Sequence, residues 1–108
     1  MVINSVKHYK NTHKLNSKLV EENVSKMKVL AHPVRYSIIA ILTINKKMTV
    51  TEIYEELGLH QAAVSNHLKL LYTNHMLISK KSGKNIYYSV NKKTFEKMGK
   101  VLIFDFSE

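Results

Sequence analysis

The chain is 108 residues long, which fits a single domain that buries a hydrophobic core of its own. It has no cysteine, and this excludes disulfides, thiolate metal sites and thiol redox sensing. Its 17 lysine and arginine residues against 8 acidic residues leave a net charge of +9, a balance that favours polyanions such as nucleic acid or an acidic membrane surface.

The amino-terminal segment, residues 1–16, is polar and basic, and we predict a flexible or short helical arm there. A basic arm on a DNA backbone is the alternative. The segment lacks the apolar core of a signal peptide. The longest apolar run, residues 38–42, is far shorter than the roughly 20 residues that span a bilayer, so we expect a cytoplasmic protein with no membrane partner. Residues 17–108 contain no repeat or Gly/Ser linker and are predicted to form one domain.

The first predicted helix, residues 17–30, has two apolar faces at helical spacing. One face carries Val20, Val24 and Met27, followed by Ala31 beyond the helix. The second face carries Leu19, Lys26 and Leu30, preceded by Leu15. We expect the apolar surface of this second face to exceed what a monomer core needs.

The second predicted helix begins at Pro33. Proline is well tolerated in the first turn of a helix, because the amide hydrogens of that turn have no acceptor within the helix and proline lacks this hydrogen. Its inward face contains Val34, Ile38, Ile41 and Leu42. The other sides carry Ile39, Ala40 and Ile44, so the helix is apolar almost all round. Such a pattern predicts a helix at the centre of the fold.

A short helix is predicted over residues 49–57, opening with a capping box. In this motif the Thr49 hydroxyl accepts from the Glu52 amide, and the Glu52 carboxylate accepts from the Thr49 amide. Gly58 supplies the backbone freedom for a sharp turn, and Leu59 is expected to fill the corner. Another helix follows at once, which is the order of a helix-turn-helix.

This next helix has two contrasting faces. Val64, Leu68 and Leu71 lie at i, i+4 and i+7 and form one buried face at about 100° per residue. The opposite face is small and polar, with Ala62, Ser65, Asn66 and Lys69. Such a face lets a helix approach DNA closely and hydrogen-bond to bases or phosphates in the major groove. The alternative is an ordinary amphipathic helix with a solvated face.

A β-hairpin is predicted behind this helix, with strands over residues 77–81 and 86–90 and a turn over residues 82–85. At or near its tip lie Lys80, Lys81, Lys84 and Asn85. After a helix-turn-helix, such a hairpin is a wing whose cations reach phosphates or the neighbouring minor groove. The alternative is an edge whose lysines protect it against aggregation.

The closing segment, residues 91–108, is predicted to be a helix with a long apolar stripe. The stripe consists of Phe95, Met98, Leu102 and Phe106. This is more apolar surface than a small monomer hides. Pairing with the first predicted helix of a second copy would bury it.

Four segments together resemble the ArsR/SmtB family of bacterial winged-helix repressors. They are residues 31–42, 49–59, 61–71 and 83–90, and they occur in the order and at the spacing of that family. The resemblance implies a mainly α fold with a small β-hairpin wing, in the order α-α-α-α-β-β-α. It also implies a homodimer through the first and last helices, which binds an inverted repeat in double-stranded DNA and responds to a signal.

The resemblance also implies which residues contact DNA. The predicted site consists of Thr51, Gln61, Ala62, Ser65, Asn66, His67, Lys69, Lys80, Lys81, Lys84 and Asn85. Within this set, His67 and Thr51 are expected to seat the second helix of the motif on phosphates. Arg35 occupies a position where the family often places an arginine near the DNA backbone or an internal acid, and both roles stay open.

The family's two familiar metal sites are absent from this sequence. A cysteine-containing run of metal-sensing relatives aligns with residues 49–52, where threonine hydroxyls do not replace thiolates for soft metals. The other site needs a histidine on the last helix, and residues 91–108 contain none. We therefore predict no metal and no cofactor, and the sequence names no inducer. A metal sensor that uses His8, His13 or His75 is a weaker alternative.

Enzymatic chemistry has little support in this sequence. There is no phosphate-binding glycine loop and no Gly-x-Ser-x-Gly elbow, and Ser65 and His67 diverge by about 200° on their helix. We predict a sequence-specific transcriptional regulator that acts as a repressor, rather than an enzyme. The alternative is a winged-helix module that binds a protein or coats DNA without sequence preference.

Overall fold

The computed structural model describes residues 17–102, and the side chains of residues 17–99. The described elements are α1 (Ser17–Leu30), α2 (Pro33–Asn45), β1 (Met48–Thr49), α3 (Val50–Leu57), α4 (Gln61–Thr73), β2 (Leu77–Ser82), β3 (Asn85–Val90) and α5 (Lys92–Leu102). This order confirms the predicted mainly helical fold with a hairpin before its last helix. The predicted arm, residues 1–16, and the predicted end of the closing helix, residues 103–108, lie outside the described residues.

The core forms where α2, α3 and α4 meet the base of the hairpin. Its buried members are Ile38, Leu42, Met48, Ile53, Val64, Leu68, Leu71, Met76, Leu77 and Met98. Removing a leucine or isoleucine side chain from water contributes roughly 1.5–3 kcal/mol. Because α4 supplies three of these residues, its position is fixed mainly by apolar packing against the rest of the domain.

The sheet has three strands in the order β1-β3-β2, all antiparallel. The hairpin is one residue longer on each strand than predicted, because Ser82 pairs with Asn85 and leaves a tight turn. Gly83 in this turn has φ 62°, a left-handed conformation that suits glycine. The pairing of Met48 with Tyr88 creates β1, which was not predicted because two residues are too short for an alternating pattern.

The chain bends sharply between α1 and α2, as the predicted break at residues 32–33 requires. His32 is the N-cap of α2, and its Nδ1 accepts a hydrogen bond from the Val34 amide at 3.1 Å. Within residues 17–102 no single helix is long and apolar enough to cross a membrane, and the one pair that passes that test together, α1 with α2, is bent by 93°.

The inner face of α1 is not the one predicted for the monomer core. Val24 and Met27 are 44% and 46% exposed, whereas Asn23 is buried and Leu19 and Leu30 are half-buried. The face expected to be surplus therefore packs within the chain, and the face expected in the core is left open. Apolar spacing indicates that a face is covered, but it does not indicate which partner covers it.

As predicted, α2 lies at the centre of the fold, where it contacts α1, α3, α4 and β3, but it is not buried on all sides. Ile38 and Leu42 are buried, but Ile44 is 75% exposed and Tyr36 is 64% exposed. The open side of α2 joins α1 and α5 around an apolar groove of about 700 Å³, to which Met27 contributes. One face of α2 is thus buried in the core, and the opposite face is exposed.

Two hydrogen bonds fix the start of α5 against the connection between α4 and β2. The Thr94 hydroxyl donates to the His75 carbonyl at 2.6 Å, and the Asn91 amide donates to the Met76 carbonyl at 3.0 Å. Met98, one turn further along α5, is buried against the core. The described part of α5 is therefore tied to the same unit as α4.

Candidate DNA-binding interface

The helix-turn-helix is formed by α3, Gly58 and α4. The Thr49 hydroxyl accepts from the Glu52 amide at 3.2 Å, and the Glu52 carboxylate accepts from the Thr49 amide at 2.8 Å, which confirms the capping box. Gly58 ends α3 with φ 66°, in the left-handed conformation expected of a glycine cap. Thr51 lies exposed in the first turn of α3.

The prediction that Leu59 fills the corner of this motif is wrong. Its side chain is 37% exposed. The corner is held instead by the backbone, because the Leu59 amide donates to the Tyr54 carbonyl at 3.1 Å. Leu57 and Tyr54, which precede the glycine, are the side chains that pack against the core.

The two faces of α4 are arranged as predicted. Val64, Leu68 and Leu71 are at most 2% exposed. The opposite surface is open to solvent, and it contains Gln61, Ala62, Ser65, Asn66 and Lys69. The last four lie within an arc of about 100°, given the angular step of an α-helix. A short, polar and continuous face is therefore available along the first two and a half turns of α4.

His67 lies on a different side of α4 from this polar face. Its ring is half-buried and packs against the His32 ring, with centroids 4.6 Å apart. Its Nδ1 is 3.4 Å from Nη1 of Arg35, whose Nε donates to the Val29 carbonyl at 2.6 Å. Among the described residues, the partners of Arg35 are thus a carbonyl and an imidazole and not an internal acid, and a contact with the DNA backbone stays a prediction.

The surroundings of His67 favour its neutral form. Burial lowers the pKa of His67 below the ordinary value of histidine, and the nearby His32 and Arg35 lower it further. A neutral ring keeps Nδ1 free to accept a hydrogen bond from the guanidinium. No pattern in the sequence indicates this cluster, because residues 32 and 35 are adjacent to residue 67 only in the folded chain.

The predicted cations of the wing point in different directions. Lys80 pairs with Tyr87 and Lys81 pairs with Ile86, and neighbouring residues of a strand project to opposite faces. Lys84 occupies the turn, and Asn85 begins β3. All four predicted wing residues are exposed, but Lys80 and Lys81 belong to opposite faces of the hairpin and are not one patch.

Lys47 is a cation beside the wing that the sequence prediction missed. Its Nζ lies 5.2 Å from the centre of the Tyr87 ring, a cation–π distance. Since Lys80 pairs with Tyr87, their side chains project from the same face of the sheet, so Lys47 and Lys80 add two cations to that face. The basic pair Lys46 and Lys47, separated from the capping box by Met48, was the available signal.

No group of three or more histidine, cysteine or acidic side chains among residues 17–99 is placed to hold a metal ion. Of the alternative ligands, His8 and His13 lie outside the described residues. His75 has its backbone in the left-handed region, with φ 61°, and its carbonyl accepts from Thr94.

A capped helix, a glycine turn, a second helix with a polar outer face and a following hairpin together define a winged helix-turn-helix protein. A family model described as a helix-turn-helix domain matches residues 30–75. The chain is 34% identical over 90 residues to the transcriptional repressor PagR of Bacillus anthracis, covering 83% of this chain and 90% of PagR. The crystal structure of PagR covers 81% of this chain and 99% of its own, with a TM-score of 0.69 and 33% identity.

Two further likenesses agree with this class. The HTH-type transcriptional regulator NmtR of Mycobacterium tuberculosis is 32% identical over 76 residues, which is 70% of this chain and 62% of NmtR. An ArsR-like transcriptional regulator from a Rhodococcus species shares the fold, with a TM-score of 0.71, 22% identity and coverage of 77% of each chain. The chain belongs to the ArsR/SmtB family of winged-helix transcriptional repressors, which is a family of DNA-binding regulators and not of enzymes.

Proposed function

We propose that this chain is a homodimeric, sequence-specific repressor that binds an inverted-repeat operator in double-stranded DNA and acts in the cytoplasm. The observation that carries the proposal is the division of α4 into a buried apolar face and an exposed polar one. The buried face fixes α4 on the domain, so the exposed face is presented on a rigid support. A rigid helix with a narrow polar face fits the major groove, which is about 12 Å wide.

Each predicted contact receives a role that follows from its chemistry. Ser65 and Asn66 supply a hydroxyl and an amide, groups that distinguish base edges. Ala62 permits close approach, and Gln61 and Lys69 extend the reading face at either end. The exposed hydroxyl of Thr51 suits a phosphate contact. His67 supports α4 from the side that faces α2, and the wing residues Lys80, Lys81, Lys84 and Asn85 add affinity through the backbone.

The dimer is supported by apolar surface that is exposed on the described part of the chain. Val24 and Met27 of α1 and Tyr36 and Ile44 of α2 are between 44% and 75% exposed. They surround or adjoin the groove between α1, α2 and α5. A two-fold dimer through α1 and α5 would cover this surface and place two copies of α4 about 34 Å apart, one turn of DNA.

The test is fluorescence anisotropy with DNA from upstream of the chain's own gene and a scrambled control, each at low and physiological salt. A preference of about 10³-fold or more for the natural sequence is the expected result for a specific regulator. Equal and strongly salt-sensitive binding to both would indicate a protein that coats DNA. A stable protein complex without DNA binding would indicate an interaction module.

Two sets of variants then separate sequence-specific base contacts from nonspecific electrostatic binding to DNA. Ser65→Ala with Asn66→Ala should reduce the preference by about 10- to 100-fold with little loss on scrambled DNA, because base contacts carry discrimination. Lys80→Ala, Lys81→Ala and Lys84→Ala together should weaken both complexes and flatten the salt dependence. The matched control removes three exposed lysines elsewhere, Lys18, Lys93 and Lys97, and should change the salt slope less. Equal losses on both DNAs from the first pair would refute the reading assignment.

A further inference from the structure

Arg35 connects three helices through one side chain. It belongs to α2, its Nε donates to the Val29 carbonyl in the last turn of α1, and its Nη1 lies 3.4 Å from Nδ1 of His67 on α4. The 2.6 Å bond to Val29 fixes the guanidinium plane. Since a guanidinium is planar, fixing Nε also fixes the direction in which Nη1 points. The dimerisation helix α1 and the DNA-reading helix α4 are thereby linked without touching the reading face itself.

The link depends on the protonation of an imidazole. Nδ1 of His67 accepts from Arg35 only when it carries no proton, so the ring must be neutral with its proton on Nε2. Nδ1 of His32 is committed in the same way, because it accepts from the Val34 amide. Among the described residues, the charged or titratable groups that act on His67 are His32 and Arg35, both from α2. A proton added to His67 would therefore oppose a guanidinium and lose the bond.

We propose that Arg35 is a positioning residue for α4, and that discrimination of the operator from other DNA requires its bond to the neutral ring of His67. This inference rests on the proposed function. Because α1 also carries the exposed Val24 and Met27, which belong to the proposed dimer surface, Arg35 connects the helix at the dimer interface to the position of α4. Protonation of His67 then releases α4 from this constraint and lowers the preference for the operator. Added positive charge meanwhile raises affinity for any DNA.

A simple phosphate contact by Arg35 predicts a different behaviour. Lysine carries the same charge and serves a phosphate well, but it cannot hold a carbonyl and an imidazole in the fixed geometry of a guanidinium. Arg35→Lys is therefore the discriminating variant. If Arg35 positions α4, this variant loses about tenfold of the operator preference, the low end for a hydrogen bond to a charged group, and keeps its affinity for scrambled DNA. If Arg35 contacts phosphate, both affinities stay near those of the wild type.

The first measurement needs no DNA. In ¹⁵N NMR of the histidine side chains, wild-type His67 should show the Nε2–H tautomer at pH 8, and Arg35→Lys should shift the population towards Nδ1–H. Loss of the Nε2–H tautomer in Arg35→Lys would support the link between Arg35 and His67. An Nδ1–H tautomer in the wild type, or identical spectra for both proteins, would overturn it.

The second measurement is the ratio of operator to scrambled-DNA affinity between pH 8 and pH 5.5. The wild type should lose part of this ratio, up to about tenfold, and the loss should grow as the pH falls below 6.5 towards the lowered pKa of His67. His67→Asn keeps an oxygen acceptor near Nδ1 and does not titrate, so its ratio should stay level. The matched control is His75→Asn, an exposed residue outside α4 whose left-handed backbone asparagine tolerates, and it should retain the wild-type response. A pH response that survives in His67→Asn would overturn the proposal. A wild type without sequence preference would overturn the proposed function, while the NMR result would still decide the link.

Discussion

Two helices of nearly equal length, α1 with 14 residues and α4 with 13, direct their apolar side chains in opposite ways. In α4, Val64, Leu68 and Leu71 enter the core of the chain. In α1, Val24 and Met27 face out of it, and the most buried side chain is an amide, Asn23. An amphipathic helix of the first kind is held by its own domain. A helix of the second kind presents a surface suited to a second subunit.

The inner contact of α1 is weaker than that of α4 for a further reason. Nδ2 of Asn23 donates to the Leu19 carbonyl at 2.8 Å, but its buried Oδ1 has no hydrogen-bond partner among the described residues. A buried acceptor without a partner costs about 1–3 kcal/mol. In the single chain, α1 therefore contacts the domain through the half-buried Leu19 and Leu30, the incompletely hydrogen-bonded amide of Asn23, and the hydrogen bond from Arg35 to the Val29 carbonyl. Dimerisation would add the apolar contact that α1 lacks.

The largest expected effect concerns the inner face of α4. Leu68→Ala should lower the free energy of unfolding by about 2–5 kcal/mol, because the cavity opens in a packed core where Leu68 is 2% exposed. Urea unfolding followed by circular dichroism measures it. Leu70→Ala on the same helix, at a site 39% exposed, is the control and should cost less than about 1 kcal/mol. Equal losses would mean that α4 is not anchored by this face.

The next effect concerns the open face of α1. Val24→Asp should convert the proposed dimer to monomer, since a carboxylate in an apolar interface costs roughly 2 kcal/mol or more. Sedimentation over a range of protein concentrations gives the dissociation constant. Ser25→Asp adds the same charge at an exposed position about 100° round the helix and should leave the dimer intact. A Val24→Asp protein that stays dimeric would place the interface elsewhere.

The same two helices explain how far the sequence predicted the structure. For α4, the spacing of Val64, Leu68 and Leu71 sufficed, because a single apolar stripe has only one core to enter. For α1 there were two stripes, and the pattern held no information on which one faces another subunit. Ile44 on α2 was misassigned for the same reason. The capping box of Thr49 and Glu52 was predictable because both partners are local in sequence.

Features built from distant residues were not predictable. The strand β1 forms because Met48 pairs with Tyr88, which lies 40 residues further along the chain. Two residues alone are too few to show the alternating pattern of a strand. The cluster of His32, Arg35 and His67 requires the start of α2 to pack against α4. Chemistry that depends on such encounters is visible only in the fold.

A smaller effect is expected at the buried amide of α1. Asn23→Leu removes the unpartnered acceptor and gives the inner face an apolar side chain of similar size, so unfolding should become harder by about 1 kcal/mol. The urea midpoint measures it at fixed protein concentration. Asn91→Leu, at a half-buried position outside α1, is a comparison that should give no such gain. A destabilised Asn23→Leu protein would show that the site is too tight for a branched chain.

The smallest expected effect is the pH dependence of stability at His67, where α4 meets α2. The pKa of His67 is lowered in the folded chain by burial, then by His32 and Arg35, so the unfolded chain binds this proton more readily. Stability should therefore be unaffected by this group well above about pH 6.5 and should fall as the pH drops from there through the folded pKa. Urea midpoints at pH 8 and pH 5.5 should differ more in the wild type than in His67→Asn, whose other histidines are unchanged. Because solvent reaches part of the ring and screens it, the difference should be smaller than any above. Identical pH profiles would mean that His67 binds its proton equally well in the folded and the unfolded chain.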